Sequence, residues 1–400
     1  MLSVSQAQAL VLEHARPLPS EAVPLAPDAL GLVLAEDVAS DLDMPPYDKA
    51  LMDGYAVRSA DLGEGQGTLT VIEEITAGHT PTRAVGAGQA SRIMTGAPMP
   101  GRADAVVMVE RTCALGDDRV RVEDRPSPGQ NVLARGREMR RGDTVLAAGA
   151  VLRPQELGLL AAVGRTEARV HPAPRVAVLS TGDEVVEVTQ VPGPGQIRNS
   201  NSPMLLAQAR RAGGLPRYLG IARDRLDSLC PLVAEGLRSD ILVLSGGVSA
   251  GKLDLVPGVL RELGVEAHFH KVEMKPGKPV FFGTRDATLV FGLPGNPVSA
   301  LVCFELFVRP AVRRLGGRAD LGPWLVQAVL TEDFAYRTDR PTYHPAWLDG
   351  GGQGWRVRPV PWFGSPDLRG LTRANAFVVF PAGDHRHRAG QVCSVLKVED

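Results

Sequence analysis

The chain has 400 residues, of which 44% are hydrophobic and 22% charged, and its formal net charge is −1. A length well above about 200 residues exceeds one ordinary hydrophobic core and predicts several domains. The near-zero net charge provides no general attraction to nucleic acid or to an anionic membrane, so any anion site must be built from local groups.

The N-terminal segment carries no targeting pattern. The first residues lack the basic and apolar runs of a secretory signal, and no apolar run approaches the roughly 20 residues of a membrane-spanning helix. The four cysteines are far apart and form no CxxC motif, which favours reduced thiols over disulfides or a metal site. We therefore expect a cytoplasmic protein with no membrane and no nucleic-acid partner.

Short elements are predicted over the first 172 residues. Apolar positions at helical spacing indicate a helix over 4–16, after which several prolines interrupt the pattern. Residues 45–139 are rich in glycine and in short β-prone runs, which predicts a β-rich insertion. A strand-like run within 140–172 precedes a helix that begins near Pro154, because proline suits the first helical turn.

Residues 173–317 alternate strand-like and helical patterns. Strands are predicted at RVAVLS (175–180), LPRYLGIA, DILVLS (240–245), AHFHKV, PVFFG and TLVFGL. Helices are predicted to begin at Ser202-Pro203, to lie near 227–238 and over 254–263, and to run from Asn296-Pro297 to Gly316-Gly317. Continuous apolar strands that alternate with helices predict a doubly wound, mainly parallel α/β sheet. Residues 318–400 return to short β-prone runs, which predicts a small β-barrel or sandwich.

Three glycine- or proline-rich loops each follow a predicted buried strand. They are Ser180-Thr181-Gly182-Asp183-Glu184, Ser245-Gly246-Gly247-Val248-Ser249-Ala250-Gly251 and Gly292-Leu293-Pro294-Gly295-Asn296-Pro297. Ligands of open α/β sheets lie outside the carboxyl ends of the strands, where helix N-termini supply free N–H groups for phosphate. One such loop alone would indicate only a tight turn. Three on one edge predict a site for a phosphate-bearing anion.

Cations and carboxylates accompany these loops. Only six of the 44 basic residues are lysines, and four of the six lie between residues 252 and 278. Three of these surround one turn, namely Lys271, Lys275 and Lys278. An ammonium is a compact charge suited to phosphate, although a solvated basic turn has the same composition. Glu184, Asp224 and Asp254 are predicted at strand ends, and carboxylates beside phosphate-binding lysines typically hold Mg²⁺. Asp224 and Asp254 are equally well placed as helix caps.

The second loop also resembles motifs of two other chemistries. GGVSAGK (246–252) nearly matches a nucleotide-binding P-loop, but Leu253 stands where that pattern needs Ser or Thr for Mg²⁺. GVSAG (247–251) matches the G-x-S-x-G nucleophile elbow, but Ser249 lies several residues beyond the strand end. A nucleotide-triphosphate site and a serine hydrolase are therefore minor alternatives.

The chain resembles the molybdopterin molybdotransferase family, which includes bacterial MoeA and the E domain of gephyrin. Seven segments carry the resemblance in the family's order: MPPYDKALMDGYAVRSAD (44–61), IMTGAPMPGRADAVVMVE (93–110), PRVAVLSTGDEVVE (174–187), GQIRNSN (195–201), SGGVSAGKLD (245–254), KPGKPVFFG (275–283) and GLPGNPVSAL (292–301). The resemblance implies an enzyme of molybdenum cofactor biosynthesis. In that reaction adenylylated molybdopterin and molybdate react with Mg²⁺ present, AMP leaves, and molybdenum enters the dithiolene.

The resemblance also implies an architecture. Residues 1–44 plus 140–172 are expected to form one discontinuous N-terminal domain, with 45–139 inserted as a β-rich domain. The central domain, 173–317, is expected to be MogA-like, that is, similar to the molybdopterin adenylyltransferase, and 318–400 to form a C-terminal β-barrel. The family implies a homodimer, and we expect the site to lie across its interface. The molybdopterin adenylyltransferase is a candidate protein partner.

The matching motifs assign residues to the expected site. Catalytic roles are implied for Asp53, Thr95, Glu184, Asp224, Asp254, Lys271 and Lys275. The carboxylates among them that are expected to hold Mg²⁺ are Glu184, Asp224 and Asp254. Substrate or phosphate contacts are expected from Ser180, Thr181, Gly182, Ser245, Gly246, Gly247, Ser249, Lys278, Pro294, Gly295, Asn296, Pro297 and Ser365. Asp53 also suits a purely structural Asp-Gly turn.

Two places depart from the family pattern. Glu138 stands where relatives often have aspartate, and Lys49 and Leu51 stand in DKALMDGYA where many relatives read DNSAMDGYA. The longer Glu138 side chain is expected to alter molybdate placement but not the reaction. Two other functions remain as alternatives: an adenylyltransferase that loads AMP onto molybdopterin, and a scaffold that docks a partner's peptide. The β-rich insertion with Asp53 argues against the first, and the retained loops argue against the second.

Overall fold

The structure is a computed structural model that describes residues 1–116, 118–247, 255–351 and 354–398. Ser249 and Asp254 therefore lie outside the described residues. The chain divides into two compact units. The larger contains Met1–Ala35, Gly149–Arg153 and Glu167–Asp400, and the smaller contains Glu36–Ala148 and Pro154–Thr166. Within the described ranges, no helix combines the length and apolar character needed to cross a bilayer.

The smaller unit is built on a six-stranded sheet. In sheet order its strands are Ala105–Met108, Gly54–Val57, Gln89–Ile93, Gly67–Ile75, Arg119–Val122 and Thr112–Ala114. Two further strand pairs join Lys49–Ala50 to Val132–Leu133 and Val38–Ala39 to Thr144–Leu146. The helix Pro154–Ala162 begins on proline, as predicted, and short 3₁₀ turns lie at Ser59–Leu62 and Val109–Arg111. The β-rich character predicted for residues 45–139 is confirmed.

The larger unit contains the predicted α/β sheet. In sheet order its strands are Leu215–Ala222, Arg175–Thr181, Ile241–Ser245, Thr288–Leu293, Phe281–Arg285 and Glu266–Phe269. The first four are parallel and the last two are antiparallel to their neighbours. Helices accompany the sheet at Asn201–Arg211, Leu226–Gly236, Val256–Glu262 and Pro297–Cys303. The prediction of a mainly parallel sheet is confirmed.

Both faces of this sheet are covered. Side chains alternate along a strand, and Val176 and Val178 pack in one hydrophobic cluster while Ala177 and Leu179 pack in another. All four side chains are fully buried. Because no face of the strand meets water, its sequence is continuously apolar instead of alternating, which is the pattern that predicted a doubly wound sheet.

The predicted long helix is interrupted by a π turn. Pro297–Cys303 and Arg309–Leu315 are α-helical, and Phe304–Val308 between them is π-helical. Pro310 has no N–H to donate to the Leu306 carbonyl one turn back. The Gln8 side-chain amide donates to that carbonyl at 3.0 Å instead. Gln8 belongs to the N-terminal helix Val4–His14, which is thereby fixed against the α/β core.

The C-terminal segment forms a closed five-stranded barrel. Its strands, in order, are Leu325–Leu330, Gly354–Pro359, Thr342–Gly351, Ala376–Phe380 and Val392–Lys397. The larger unit also contains two separate strand pairs, Phe334–Thr338 with Gly383–His387 and Val185–Val186 with Ile197–Arg198. A three-stranded sheet is formed by Glu21–Pro24, Glu167–His171 and Val33–Leu34. The short helix Leu368–Leu371 and a 3₁₀ turn at Pro27–Ala29 complete this unit. The sequence left a barrel and a sandwich open, and the structure decides for the barrel.

Candidate active site

Three neighbouring strands end side by side in the α/β sheet. Ser180 is paired with Ser245, and Ser245 is paired with Leu293. The Gly246 N–H donates to the Leu293 carbonyl at 3.0 Å, which draws the second and third loops together. The structure thus places the starts of the three predicted loops at one edge, because parallel strands present their carboxyl ends on the same side.

A cavity of about 260 Å³ opens at these strand ends, and we refer to it as the strand-end cavity. The predicted site residues that line it are Ser180, Thr181, Glu184, Ser245, Gly246, Gly295 and Asn296. Three other predicted residues are next in sequence to lining residues. Gly182 and Gly247 have positive φ angles of 139° and 63°. Pro297 is the first residue of the helix Pro297–Cys303. Arg198 and Asn201 also line the cavity without having been assigned a role from the sequence.

Side-chain amides hold the strand ends in place. The Asn201 amide nitrogen donates to Ser245 Oγ at 2.8 Å and to the Gly295 carbonyl at 2.7 Å, so it links the second and third loops. Ser180 Oγ bonds to Asn199 Oδ1 at 3.1 Å and to Ser202 Oγ at 2.8 Å. The sequence signal for these asparagines is the GQIRNSN segment, which carried the resemblance although its individual residues were given no role.

Glycine is required where the second loop passes Thr181. Gly246 has φ of 95°, and a Cβ there would lie 2.5 Å from the Thr181 carbonyl oxygen. A Cβ on Gly247 would lie 2.7 Å from Thr181 Oγ1. Both glycines adopt left-handed backbone conformations that L side chains rarely tolerate. The second loop therefore approaches the first strand closely at these two glycines.

A second cavity of about 350 Å³ is also lined by Asn296, and we refer to it as the lysine cavity. The predicted residues that line it are Lys275, Lys278, Pro294, Asn296 and Ser365. The structure adds Tyr336, Arg340 and Trp362 from the C-terminal segment. Two ammonium groups and a guanidinium thus surround one cavity, and Asn296 lines both cavities.

Main-chain hydrogen bonds fix the two sides of the lysine cavity. The Lys275 N–H donates to the Pro341 carbonyl at 2.9 Å, and the Tyr343 N–H donates to the Lys275 carbonyl at 2.7 Å. The Val298 N–H donates to the Ser365 carbonyl at 3.1 Å. The side-chain amide of Asn296 donates to Ser365 Oγ at 3.0 Å. The α/β domain and the barrel therefore form this cavity together.

The walls of the lysine cavity are aromatic as well as basic. The Lys275 ammonium lies 5.6 Å from the centre of the Tyr336 ring, and Trp362 packs edge-on against His344 with ring centres 5.3 Å apart. Burial lowers the pKa of His344 to about 4, so its imidazole is neutral near pH 7. The Arg340 guanidinium, with a smaller contribution from Lys275, lowers the pKa of the neighbouring Asp339. The positive charge of this region therefore acts on a nearby acidic group.

Two of the predicted residues lie at strand ends or turns without lining either cavity. Asp224 is exposed, and its N–H donates to Asp183 Oδ1 at 3.1 Å. The helix after Asp224 begins at Leu226 with Arg225 at the N-cap position. Lys271 is exposed and precedes the buried Val272.

Asp53 and Thr95 lie together in the smaller unit. The Thr95 N–H and the Thr95 hydroxyl both donate to Asp53 Oδ1, at 2.6 and 2.7 Å. These bonds, with the backbone one the stronger, lower the pKa of Asp53. Both side chains are exposed, so the ionised carboxylate faces solvent. The two residues that the family motifs assigned separately are therefore one hydrogen-bonded pair.

The two departures from the family pattern also meet. Lys49 Nζ lies 3.7 Å from Glu138 Oε1 in the smaller unit. Both side chains are partly exposed, so the ion pair contributes little to stability. Glu138 therefore has a cationic neighbour, Lys49, that the family pattern does not provide.

Among the described residues, no group of three or more His, Cys, Asp or Glu side chains is arranged to hold a metal ion. Of the carboxylates predicted to bind Mg²⁺, Glu184 lines the strand-end cavity, Asp224 lies at the neighbouring strand end, and Asp254 is not among the residues described. Mg²⁺ often binds through only one or two protein carboxylates together with substrate phosphates. Glu184, which lines the strand-end cavity, is the described carboxylate in a position to act in this way.

Three family models match successive segments of the chain and together cover most of its length. Residues 2–164 match the family described as MoeA N-terminal region (domain I and II). Residues 177–314 match the probable molybdopterin binding domain, and residues 327–398 match MoeA C-terminal region (domain IV). The three matches follow each other in the order of the chain.

Individual relatives agree over nearly the whole length. The molybdopterin molybdenumtransferase of Staphylococcus aureus strain Mu50 is 36% identical over 376 residues, which covers 93% of this chain and 90% of the relative. That of Bacillus subtilis strain 168 is 35% identical over 381 residues, with 93% and 89% covered. The crystal structure of a molybdopterin biosynthesis MoeA protein from Pyrococcus horikosii is similar with a TM-score of 0.83 at 31% identity, and both chains are covered completely.

Proposed function

Because the chain belongs to the molybdopterin molybdenumtransferase (MoeA) family, we propose that it inserts molybdate into adenylylated molybdopterin with release of AMP. This is a transferase step of molybdenum cofactor biosynthesis. The observation that carries the proposal is the pair of cavities that meet at Asn296. One is basic and the other is formed by the ends of parallel strands, so one ligand can place an anionic group and a heterocycle on either side of Asn296.

The lysine cavity is the proposed molybdate site. Molybdate is a dianion, and the diphosphate link of adenylylated molybdopterin is also anionic, so the two repel each other in water. Lys275, Lys278 and Arg340 supply preorganised positive charge where these anions must meet, and such preorganisation is a large source of rate enhancement. Ser365 adds a hydroxyl whose position is fixed by Asn296.

We propose that Mg²⁺ is held by Glu184 and Asp224 together with substrate phosphate oxygens. When bound, Mg²⁺ polarises the phosphate that loses AMP. Glu184 contributes from the strand-end cavity. Asp224 contributes from the adjacent strand end, where Asp183 accepts a hydrogen bond from its backbone. Asp254 completes the proposed carboxylate set.

We further propose a cytoplasmic homodimer in which Asp53 and Thr95 reach the cavities of the partner subunit. The support is chemical, since Asp53 is an exposed carboxylate that Thr95 fixes and keeps ionised. An ionised carboxylate near a reacting phosphate can orient a nucleophile or a metal-bound ligand. The molybdopterin adenylyltransferase is the proposed donor of the adenylylated substrate.

Complementation between two inactive variants tests the site and the dimer together. Asp53→Ala and Lys275→Ala would each be inactive alone, and mixed dimers would contain one intact site if the partner supplies Asp53. The readout is molybdenum bound to pterin, measured by elemental analysis after incubation with adenylylated molybdopterin, Mg²⁺ and molybdate. Recovery of activity on mixing supports a shared site. No recovery from mixed dimers of proven composition contradicts it.

A further inference from the structure

A tryptophan joins the barrel to the α/β domain at a pair of buried arginines. Arg309 and Arg313 lie one turn apart on the helix Arg309–Leu315, so both project from the same side of it. Their guanidinium carbons lie 4.5 and 4.2 Å from the centre of the Trp324 ring. The two arginines are 1% and 6% exposed, and cation–π attraction is strongest where water is excluded. Trp324 immediately precedes the first barrel strand, Leu325–Leu330.

A buried carboxylate orients the first of these arginines. Glu305 is fully buried and accepts a hydrogen bond from Arg309 Nη1 at 2.7 Å. It also accepts from the side chains of Gln208 and Arg211, at 2.7 and 2.8 Å, which belong to the helix Asn201–Arg211. A buried ion pair adds little net stability over apolar packing, because desolvation offsets most of the attraction. What it supplies is hydrogen-bond direction, which fixes the guanidinium in one orientation.

The same point is attached to both ends of the barrel sheet. The Lys397 N–H donates to the Trp324 carbonyl at 2.9 Å. Arg309 Nη1 donates to the Val398 carbonyl at 3.3 Å. The chain that enters the first barrel strand and the chain that leaves the last one are therefore both tied to the helix Arg309–Leu315.

Continuous strand pairing leads from this point to the lysine cavity. Lys397 pairs with the first residue of the strand Ala376–Phe380, and the last residue of that strand pairs with Thr342. Thr342 lies two residues after Arg340, which lines the lysine cavity. Because hydrogen-bonded strands move together, a shift of the barrel at Trp324 is transmitted to Arg340.

We propose that Trp324 is a positioning residue: held by Arg309 and Arg313, it fixes the barrel against the α/β domain and so keeps Arg340 in the wall of the lysine cavity. Its effect on catalysis rests on the proposed function, in which that cavity binds molybdate, whereas its effect on the contact between the two domains does not. The two effects therefore have separate measurements.

Hydrogen exchange of the full-length protein without ligand measures the domain contact. The Lys275 and Tyr343 N–H groups donate between the α/β domain and the barrel segment, at 2.9 and 2.7 Å. In Trp324→Leu these amides are expected to exchange at least about tenfold faster while amides paired within the barrel keep their rates, because a local opening exposes only the bonds it breaks. Trp355→Leu is the matched control, since that ring also lies near a cation, Lys397 at 4.9 Å, but within the barrel.

A double-mutant cycle measures the effect on the lysine cavity. In calorimetric titration, Trp324→Leu is expected to weaken molybdate binding about tenfold, but less than about twofold when Arg340→Ala is already present, because both changes remove the same contact. Trp324→Phe is expected to retain most of the affinity, since it keeps a ring for both guanidiniums and gives up the indole bond to the exposed Asp320. If Trp324→Leu does not fold, Arg313→Met carries the same expectations, because it removes one guanidinium while its ion-pair partner Asp320 is solvent-exposed.

Three results would overturn the proposal. They are unchanged exchange of the Lys275 and Tyr343 amides, an equal acceleration of amides throughout the barrel, and an equal loss of molybdate affinity with and without Arg340. The first would show that Trp324 does not hold the contact, and the other two would assign it a role in stability alone. Faster exchange confined to the Lys275 and Tyr343 amides, in a protein whose wild type does not bind molybdate, would sustain the positioning role while the proposed function failed.

Discussion

Thr95 donates two hydrogen bonds to one carboxylate oxygen of Asp53, from its N–H at 2.6 Å and from its hydroxyl at 2.7 Å. The pair joins the loop before the strand Gly54–Val57 to the loop after the strand Gln89–Ile93, and those strands are neighbours in the sheet. Asp53 is therefore held in one orientation, and the two hydrogen bonds lower the pKa of its solvent-exposed carboxyl group. A carboxylate that is fixed before substrate arrives loses little freedom on reaction.

Thr95→Val is predicted to shift the acid limb of the pH–rate profile for AMP release to higher pH. The Thr95 hydrogen bonds lower the pKa of Asp53, so the wild-type carboxylate stays charged to a lower pH than an ordinary aspartate. The valine variant keeps the backbone bond but loses the hydroxyl bond, so Asp53 protonates earlier as pH falls. Thr95→Ser is the matched control. An acid limb at the same pH in both variants would contradict this role.

Lys275→Ala is predicted to weaken molybdate binding at least about tenfold, because a half-buried ammonium is removed from the lysine cavity. Lys397→Ala is the control, since that ammonium lies 4.9 Å from the centre of the Trp355 ring and lines neither cavity. Calorimetric titration with molybdate measures the effect directly. Equal losses in the two variants would point to net charge instead of a defined site.

Gly246→Ala is predicted to destabilise the fold by about 2 kcal/mol or more, since the new Cβ would meet backbone and φ is positive. Gly258→Ala is the matched control in the helix Val256–Glu262, where a Cβ meets nothing within 4 Å. That change is expected to stabilise by about 0.5–1 kcal/mol through helix propensity. Urea unfolding of both variants measures the difference. Similar free energies of unfolding would show that the second loop does not need its close approach.

Stability is predicted to fall as pH drops from about 6.5 towards about 4, in part because of His344. Burial lowers the pKa of His344 from 6.5 to about 4, so between these values the unfolded chain binds a proton that the folded chain does not. This lowers the free energy of unfolding by about 3 kcal/mol at most. His344→Phe should show a shallower pH dependence in urea unfolding over this range. An unchanged slope would assign the effect to other groups.

The α/β sheet was predictable because its signals are local. Its strands are continuously apolar runs, and Gly213-Gly214 and Pro297 mark helix ends within a few residues of where the structure places them. The predicted loops followed from the general position of ligands in such sheets. The π turn was not predicted, and the Gln8 amide that donates to the Leu306 carbonyl within it comes from a helix nearly 300 residues away in sequence.

The lysine cavity could be predicted only in part. Lys275 and Lys278 stood out because lysines are rare in this chain, but Tyr336, Arg340 and Trp362 carry no local signal. They reach the cavity because the strand Thr342–Gly351 pairs next to Lys275. Strand pairing between distant parts of the sequence also determines that the C-terminal segment is a barrel and not a sandwich. The Lys49–Glu138 ion pair likewise joins residues that are far apart in sequence.

The central claim is tested most directly by AMP release from adenylylated molybdopterin in the presence of Mg²⁺, measured with and without molybdate. The account predicts release that requires molybdate and that is lost in both Asp53→Ala and Lys275→Ala, with both variants folded. Tight binding of the adenylylated pterin without molybdate-dependent release would contradict the transferase assignment and would favour an adenylyltransferase or a scaffold.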